Sequence, residues 1–491
     1  MSTANRAPLG HVVIVGGGVS GLVTAYRLRQ ALGSAVRLTV LEQASRLGGK
    51  LRTVDLDGVP TDVGAEAFVV RNPSAVRLAE ELGLPVVHPT TASATIRAGG
   101  VTAGLPRRTF LGVPAGADAV RDVLSADGVA RVAAEASLPP VSLPDGEDVS
   151  VGGLLASRMG REVVDHLVEP LLGGVYAGRA DRLGLRATMP ALVAALNEKG
   201  SLTAAASTLA PQPGAPRRTV FGALPGGMGS LVEALAERSG AEIRLNTTVR
   251  KLQRLEGALR DTQRPEGALW DGQRLEGALR GMWRVEVGPV PRPEFLDADA
   301  VVVALPPPAA RKLLADVVPA ASAAYGRIDV GSMAVVSMVL PAGVSLPDAS
   351  GVLLAVGERH RDGTPFTAKA FTYTSRKWGG DRVRLRASVG RSGEERTLQR
   401  DEDALLADVR ADLAELAGVD VRPVAWTVTK WGGGLPQYGV GHGETTAAIE
   451  RAVADVPGLE VTGAAFRGVG IPACVESATA AAERVAAHLA V

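Results

Sequence analysis

The stretch that most restricts what this chain can fold into is His11-Val-Val-Ile-Val-Gly16-Gly17-Gly18-Val19-Ser20-Gly21 and its continuation to Glu42. Val12 to Val15 read as a short buried strand, Ser20 to Leu32 carry the apolar spacing of a helix that stops at Gly33, and Val36 to Leu41 read as a second strand ending at an acid. Strand, G-x-G-x-x-G, helix, strand and carboxylate in this order form a dinucleotide-binding unit. Gly16 permits the tight turn, Gly18 lets backbone approach a pyrophosphate, and Gly21 lets helix and strand pack closely. The diphosphate would lie on the helix N-terminus, where free N–H groups and the macrodipole favour an anion. Glu42, about 20 residues past Gly21, is placed to accept hydrogen bonds from ribose hydroxyls.

The residues that follow indicate which dinucleotide. Gln43-Ala-Ser-Arg46-Leu-Gly48-Gly49-Lys50 supplies a second glycine pair just beyond the ribose acid, and Asp62-Val-Gly64-Ala65-Glu66-Ala67 follows. A nicotinamide enzyme has no need of that pair. The run resembles the R-x-G-G motif of two-dinucleotide-fold flavoproteins, the group that contains amine oxidases and carotenoid desaturases. The resemblance implies FAD, with backbone close to its diphosphate and ribityl chain.

A chain of 491 residues with 46% hydrophobic and 21% charged residues has room for two or three domains and ample core. A net charge of +1 gives no case for nucleic acid or for a polybasic membrane anchor. Cys474 is the only cysteine, which excludes an internal disulfide and a cysteine metal cluster. The six histidines lack ligand spacing, and no metal is expected. Residues 1–10 lack a signal-peptide apolar region, and no apolar run is long enough to span a bilayer, so a cytoplasmic protein is expected.

Residues 1–80, 226–308 and 450–491 are expected to form a discontinuous FAD-binding domain. Residues 81–211 read as a helical domain, and 212–225 with 309–449 as a substrate-binding domain. Gln253-Arg-Leu-Glu-Gly-Ala-Leu recurs at 263, with Pro265 in place of Leu, and again at 273. Three copies of ten residues would bury little surface, so 253–280 reads as an exposed insertion.

Three further motifs carry a narrower resemblance. Pro170-Leu-Leu-Gly-Gly-Val175-Tyr176-Ala-Gly, Trp431-Gly-Gly-Gly-Leu-Pro436-Gln437-Tyr438-Gly-Val-Gly441-His442 and Gly468-Val469-Gly470-Ile471-Pro472-Ala-Cys474 resemble motifs of the protoporphyrinogen and coproporphyrinogen oxidases. Asp62 to Arg71 is similar to their G-P-D-S-F segment with its following basic residue. Ala65 in place of Pro, Gly439 in place of a commoner His, and the repeat depart from the family pattern.

The resemblance implies an α/β two-dinucleotide-binding-domain flavoprotein, with a Rossmann-like FAD domain, a mixed-sheet substrate domain and a helical domain. The Gram-positive type implies FAD- and oxygen-dependent oxidation of coproporphyrinogen III to coproporphyrin III, with hydrogen peroxide formed, in haem biosynthesis. Protoporphyrinogen IX oxidation is the alternative, followed by an amine oxidase or desaturase, or a non-catalytic flavin- or haem-handling protein. The expected cofactor residues are Gly16, Gly17, Gly18, Val19, Ser20, Gly21, Glu42, Gln43, Gly49, Lys50, Gly64, Ala65, Glu66, Ala67, Val249, Trp431, Gly463, Val469, Gly470 and Ile471. Val249 is expected as a backbone clamp on adenine. A substrate with several carboxylates calls for cations, and Arg71 is the first candidate, with Val175 and Tyr176 as pocket wall. Arg382, Arg384 and Arg386 share one strand face, turned either to solvent or to substrate. No general base is assigned. The partners are a porphyrinogen and O2, with no nucleic acid. Contact with a membrane surface or a haem-pathway enzyme stays open, as does monomer or homodimer.

Overall fold

The computed structural model describes residues 10–212, 219–255 and 282–490; most of the expected 253–280 insertion therefore lies outside the described residues. The opening strand Gly10–Val15 is buried along its whole length and sits at the centre of a five-stranded parallel sheet. From one edge to the other the strands are Glu242–Arg244, Val36–Leu41, Gly10–Val15, Ala300–Val303 and Leu459–Val461. A parallel sheet covered on both faces needs apolar runs without alternation, which is how Val12–Val15 and Ala300–Val303 read. Helix Val19–Leu32 crosses from the first strand to the second. A Cβ on Gly21 would come within 2.0 Å of the Gly16 carbonyl oxygen, so only glycine allows this helix so close to the strand.

The closing helix Ile471–Ala490 packs along the first one, with Ile471, Val475 and Ala478 in one core with Leu22, Val23 and Tyr26. A three-stranded antiparallel sheet, Val249–Leu255, Met282–Val287 and Glu294–Ala298, flanks this unit. Its Trp283, Val285 and Val287 are buried against Leu314, Ala321 and Tyr325.

A second, seven-stranded mixed sheet runs in the order Ala425–Pro436, Val330–Val339, Arg384–Val389, Ala368–Thr372, Gly351–Leu354, Ala94–Ala98 and Val101–Gly104. Helix Glu402–Ala417 starts at Asp401, whose side chain accepts from the Ala404 N–H, and ends at left-handed Gly418. Its Leu405, Leu406, Val409 and Leu413 cover one face of this sheet. The hairpin 94–104 belongs here, so the segment 81–211, read from the sequence as a helical domain, also gives two strands to this sheet. Its turn is Gly99-Gly100, both at positive φ, and its strands are too short to have shown a clear period. Helix His442–Ala454 likewise runs across the expected boundary at 449/450.

Helices from Ala126 to Leu209 make the third unit, around Leu155, Leu167, Leu172, Leu192 and Leu196. Ser125, Ser150 and Ser201 cap three of them by accepting from Gly128, Gly153 and Ala204 N–H groups. Fully buried Glu135 accepts from the Leu202 and Thr203 N–H groups, the Ser201 and Thr203 hydroxyls and Arg158. One wide π-type turn, Val164–Val168, leads into helix Glu169–Tyr176. No helix among the described residues is long and apolar enough to cross a membrane.

Candidate active site

The glycine loop and the R-x-G-G turn dock on each other. The Gly48 N–H donates to the Gly17 carbonyl at 2.8 Å, and Gly18 bridges to Gly48. Gly16 sits at φ +111°, and its Cβ would lie 2.5 Å from the Ala304 oxygen. Gly18 differs from its neighbours, because a Cβ there would meet nothing within 4 Å. Gly49 faces it, with only the Gly18 Cα near its own Cβ position. The chain therefore leaves a cradle open beside the N-terminus of helix Val19–Leu32.

The groups around this cradle match a dinucleotide. Glu42 accepts from the Gly17 and Ala44 N–H groups at 2.8 Å each, which fixes its carboxylate at the end of the second strand. The Asn246 and Thr247 N–H groups donate to the carbonyls of Ala44 and Glu42, bringing the segment that leads into Val249 alongside. Arg46 donates to the Leu47 and Gly49 carbonyls and lies 5.7 Å from the Trp431 ring. Lys50 is partly buried, and among the described residues its ammonium has no hydrogen-bond or ion-pair partner. Burial lowers its pKa, and an anion beside it would oppose that lowering. Helix N-terminus, open glycine, unanswered ammonium and positioned carboxylate together fit a diphosphate and a ribose.

Of the remaining expected cofactor residues, Ser20 is buried at the first turn of that helix, Val19 is half-buried, and Gln43 is exposed. Gly463, at φ +137°, also faces open space, and Val469, exposed Gly470 and Ile471 lead into the closing helix. The Cys474 thiol in that helix is buried and pushed up to about 11, so it is a packed thiol.

Residues 64–67 lie between the cradle and the seven-stranded sheet. The Ala65 N–H donates to the Lys50 carbonyl at 3.1 Å, and Trp431 donates its ring N–H to the Val63 carbonyl at 2.9 Å. A Cβ on Gly64 would stand 2.0 Å from the Lys50 oxygen and 3.1 Å from the Trp431 ring. Glu66 is buried and paired with Lys377 at 2.5 Å and Arg386 at 3.1 Å. Burial alone would raise its pKa, but Arg386 and Lys377 outweigh that and bring it down to about 2. Its carboxylate is committed to this clamp, so only its backbone is left to face a cofactor.

Arg386 also donates to the Gly64 carbonyl at 2.8 Å, Arg384 to the Gly379 carbonyl at 3.1 Å, and Arg382 pairs with Asp57. The three arginines thus form neither a solvated stripe nor a substrate comb. Alternation along a strand could not reveal that Arg382 and Arg386 find partners in residues 57–66.

Arg71 is exposed, and among the described residues it has no ion-pair partner. Its neighbours Asn72 and Ser74 donate to Glu476 on the closing helix, at 2.9 and 2.8 Å. Val175 is 49% exposed whereas Tyr176 is 8% exposed. The Tyr176 ring packs 5.4 Å from Tyr438, which stacks at 3.9 Å on His442. Burial pushes the Tyr176 phenol up to about 12. His442 contacts the Ala465 carbonyl through Nε2 at 2.8 Å, a structural hydrogen bond. Val175 therefore lines open space, while Tyr176 is core behind it.

Lys369 was not singled out from the sequence. It interrupts the apolar strand Ala368–Thr372, is 4% exposed, and donates to the Gly173 carbonyl at 2.9 Å. Burial and nearby Arg391 lower its pKa to about 7. A lysine inside an Ala-Lys-Ala-Phe strand was the available signal.

The Flavin containing amine oxidoreductase family model matches residues 19–486. The chain is 39% identical to the coproporphyrinogen III oxidase of Mycobacterium tuberculosis over 471 residues, 95% of either chain. It is 29% identical to that of Bacillus subtilis over 98% of both. A solved candidate protoporphyrinogen oxidase from Exiguobacterium superposes with a TM-score of 0.80 at 30% identity, over 99% of both chains. The chain belongs to the flavin containing amine oxidoreductases, with FAD as its cofactor, and is an oxidoreductase of the protoporphyrinogen/coproporphyrinogen oxidase family.

Proposed function

We propose that this enzyme oxidises coproporphyrinogen III to coproporphyrin III in haem biosynthesis, in the cytoplasm, with O2 as acceptor and hydrogen peroxide as by-product. The observation that carries the reading is full-length similarity to coproporphyrinogen III oxidases at 39% identity, in a chain whose cradle retains the groups a flavin dinucleotide needs.

Bound FAD would supply two-electron oxidation at a meso carbon and reoxidation by O2, so the six electrons between porphyrinogen and porphyrin need three turns. The protein's own task is placement. Gly18 and Gly49 admit the diphosphate, Lys50 answers its charge, and Glu42 takes the ribose. Gly64 and Ala65, braced by Trp431 and Arg386, give backbone that a flat ring can approach. Val175 and the sheet face on the other side keep water from the macrocycle, and Arg71 meets a propionate where solvent enters. No side chain is needed as a base. Tyr176 is packed against Tyr438 and His442 is held by the Ala465 carbonyl, so both have structural tasks.

The Exiguobacterium structure keeps protoporphyrinogen IX oxidation as the second reading. Both are tested by supplying purified protein with each porphyrinogen in air, following porphyrin fluorescence and peroxide together. Faster oxidation of coproporphyrinogen III, with peroxide formed, is expected. A preference for protoporphyrinogen IX would transfer the enzyme to the second reading, and turnover of neither would overturn both.

A further inference from the structure

Lys369 lies at a bulge. Ala368 pairs with Val389, yet Ala370 pairs with Ser388, so one extra residue stands between two neighbouring pairs. Ala368 and Phe371 belong to the core under helix Glu402–Ala417, whereas Ala370 and Thr372 pair with Ser388 and Arg386 on the opposite face. That opposite face is the one from which Arg386 reaches Gly64 and Glu66, and on it Ser388, Ala370 and Thr372 are partly exposed. Lys369 is aimed away from the helix, because its ammonium meets Gly173 in the segment that carries exposed Val175. Buried Asp412 fixes the approach, accepting from the Thr367 and Ala368 N–H groups at 3.0 and 2.6 Å.

The charges around the ammonium are unevenly matched. Glu169 and Glu394 face it, but both are engaged by arginines: Arg179 lies 3.8 Å from Glu169 and 3.5 Å from Glu394, and Arg391 lies 3.9 Å from Glu394. Among the described residues, no carboxylate oxygen is within 4.0 Å of Lys369 Nζ, and the Gly173 carbonyl accepts one of its three donors. A buried ammonium without a counter-ion is costly and is not what a folding core retains for stability.

We propose that Lys369 receives a propionate carboxylate from the buried edge of the substrate, and so sets the preference for a macrocycle with four carboxylates over one in which two propionates are replaced by vinyl groups. This rests on the porphyrinogen reading above. A macrocycle held at its solvent edge by Arg71 must bury the opposite edge. In coproporphyrinogen that edge also carries a carboxylate, which requires a cation inside the cleft; in protoporphyrinogen IX it can present vinyl groups, which require none. Exposed Arg71 cannot discriminate between them, because both substrates offer it a propionate.

The test compares wild type, Lys369→Met and Lys369→Gln on both porphyrinogens, with flavin content checked by absorbance. Methionine keeps the length without a donor, whereas glutamine keeps a donor for Gly173 without the charge. Both variants should hold FAD and show KM for coproporphyrinogen III raised roughly 10- to 100-fold, as for loss of a charge-assisted hydrogen bond. Their kcat should change little, and kinetics on protoporphyrinogen IX should stay within about twofold. Equal losses on both substrates, or a coproporphyrinogen KM that glutamine restores, would reduce Lys369 to a cap on the helix and overturn the proposal. Quenching of coproporphyrin III fluorescence on binding gives the same comparison without turnover. A wild type that binds coproporphyrin through Lys369 but oxidises neither porphyrinogen would refute the reaction and leave the recognition standing.

Discussion

Glu66 and Lys369 are both buried ionisable groups in contact with or within strands of the seven-stranded sheet, yet they are treated in opposite ways. Glu66 is answered twice, by Lys377 and Arg386, and Arg386 in turn holds the Gly64 carbonyl. Lys369 has one carbonyl and no counter-ion among the described residues. The same contrast separates glycines. Gly16 and Gly21 are closed against backbone, whereas Gly18 faces nothing. Gly16 and Gly21 hold the scaffold, and Gly18 leaves room beside the helix N-terminus.

The largest effect is expected at Glu66. Glu66→Gln leaves Lys377 and Arg386 without their carboxylate, and a loss of about 3–5 kcal/mol is expected, as for breaking other buried ion pairs. Urea unfolding of the holoenzyme measures it; a loss below about 1 kcal/mol would put this clamp among ordinary surface pairs. Lys369→Met should leave stability unchanged or increased, because it removes a desolvated charge.

Among the glycines, Gly18→Val should give a folded protein that purifies without flavin colour, since the side chain fills open space needed by the cofactor. Gly21→Ala should instead fail to fold, its Cβ colliding with the Gly16 carbonyl. A yellow Gly18→Val protein would contradict the cradle assignment.

The two charges also predict opposite pH limbs. Glu66, held near 2 when folded, contributes stability that is present above the ordinary carboxyl range near 4.3 and lost as pH falls toward 2. Glu66→Gln should flatten that acid limb. Lys369, lowered to about 7, makes its full penalty felt below pH 7, and the penalty fades as pH rises toward the free lysine value near 10.4. Lys369→Met should remove this alkaline rise in melting temperature. The smallest effect is expected at Arg71, where Arg71→Ala should raise KM for both porphyrinogens by a few fold at low salt and less at high salt, because the group is exposed.

The nucleotide unit was legible because its signals are local. Gly16, Gly18, Gly21 and Glu42 lie within one βαβ unit, and the backbone they specify is the one found. The R-x-G-G turn was legible for the same reason. What sequence did not show depends on pairing across hundreds of residues. The Arg382–Arg386 alternation placed side chains on a face without revealing that Asp57 and Glu66 meet them there. The hairpin 94–104 joined a sheet whose other strands lie beyond residue 330. Lys369 left one signal, a lysine inside an apolar strand, but its bulge and its contact with Gly173 depend on distant segments. Val175 and Tyr176 are adjacent and equally apolar to a reader of sequence, yet the Tyr438 and His442 stack takes one and leaves the other open.

The most direct measurement is an anaerobic titration of the holoenzyme with coproporphyrinogen III, reading flavin and porphyrin absorbance in the same cuvette. The oxidised flavin band should bleach as porphyrin appears, with about three flavins reduced per porphyrin formed, and admitting air should restore the band with peroxide. A flavin that stays oxidised in the presence of coproporphyrinogen while a simple amine bleaches it would rule out porphyrinogen oxidation and return the chain to amine oxidation.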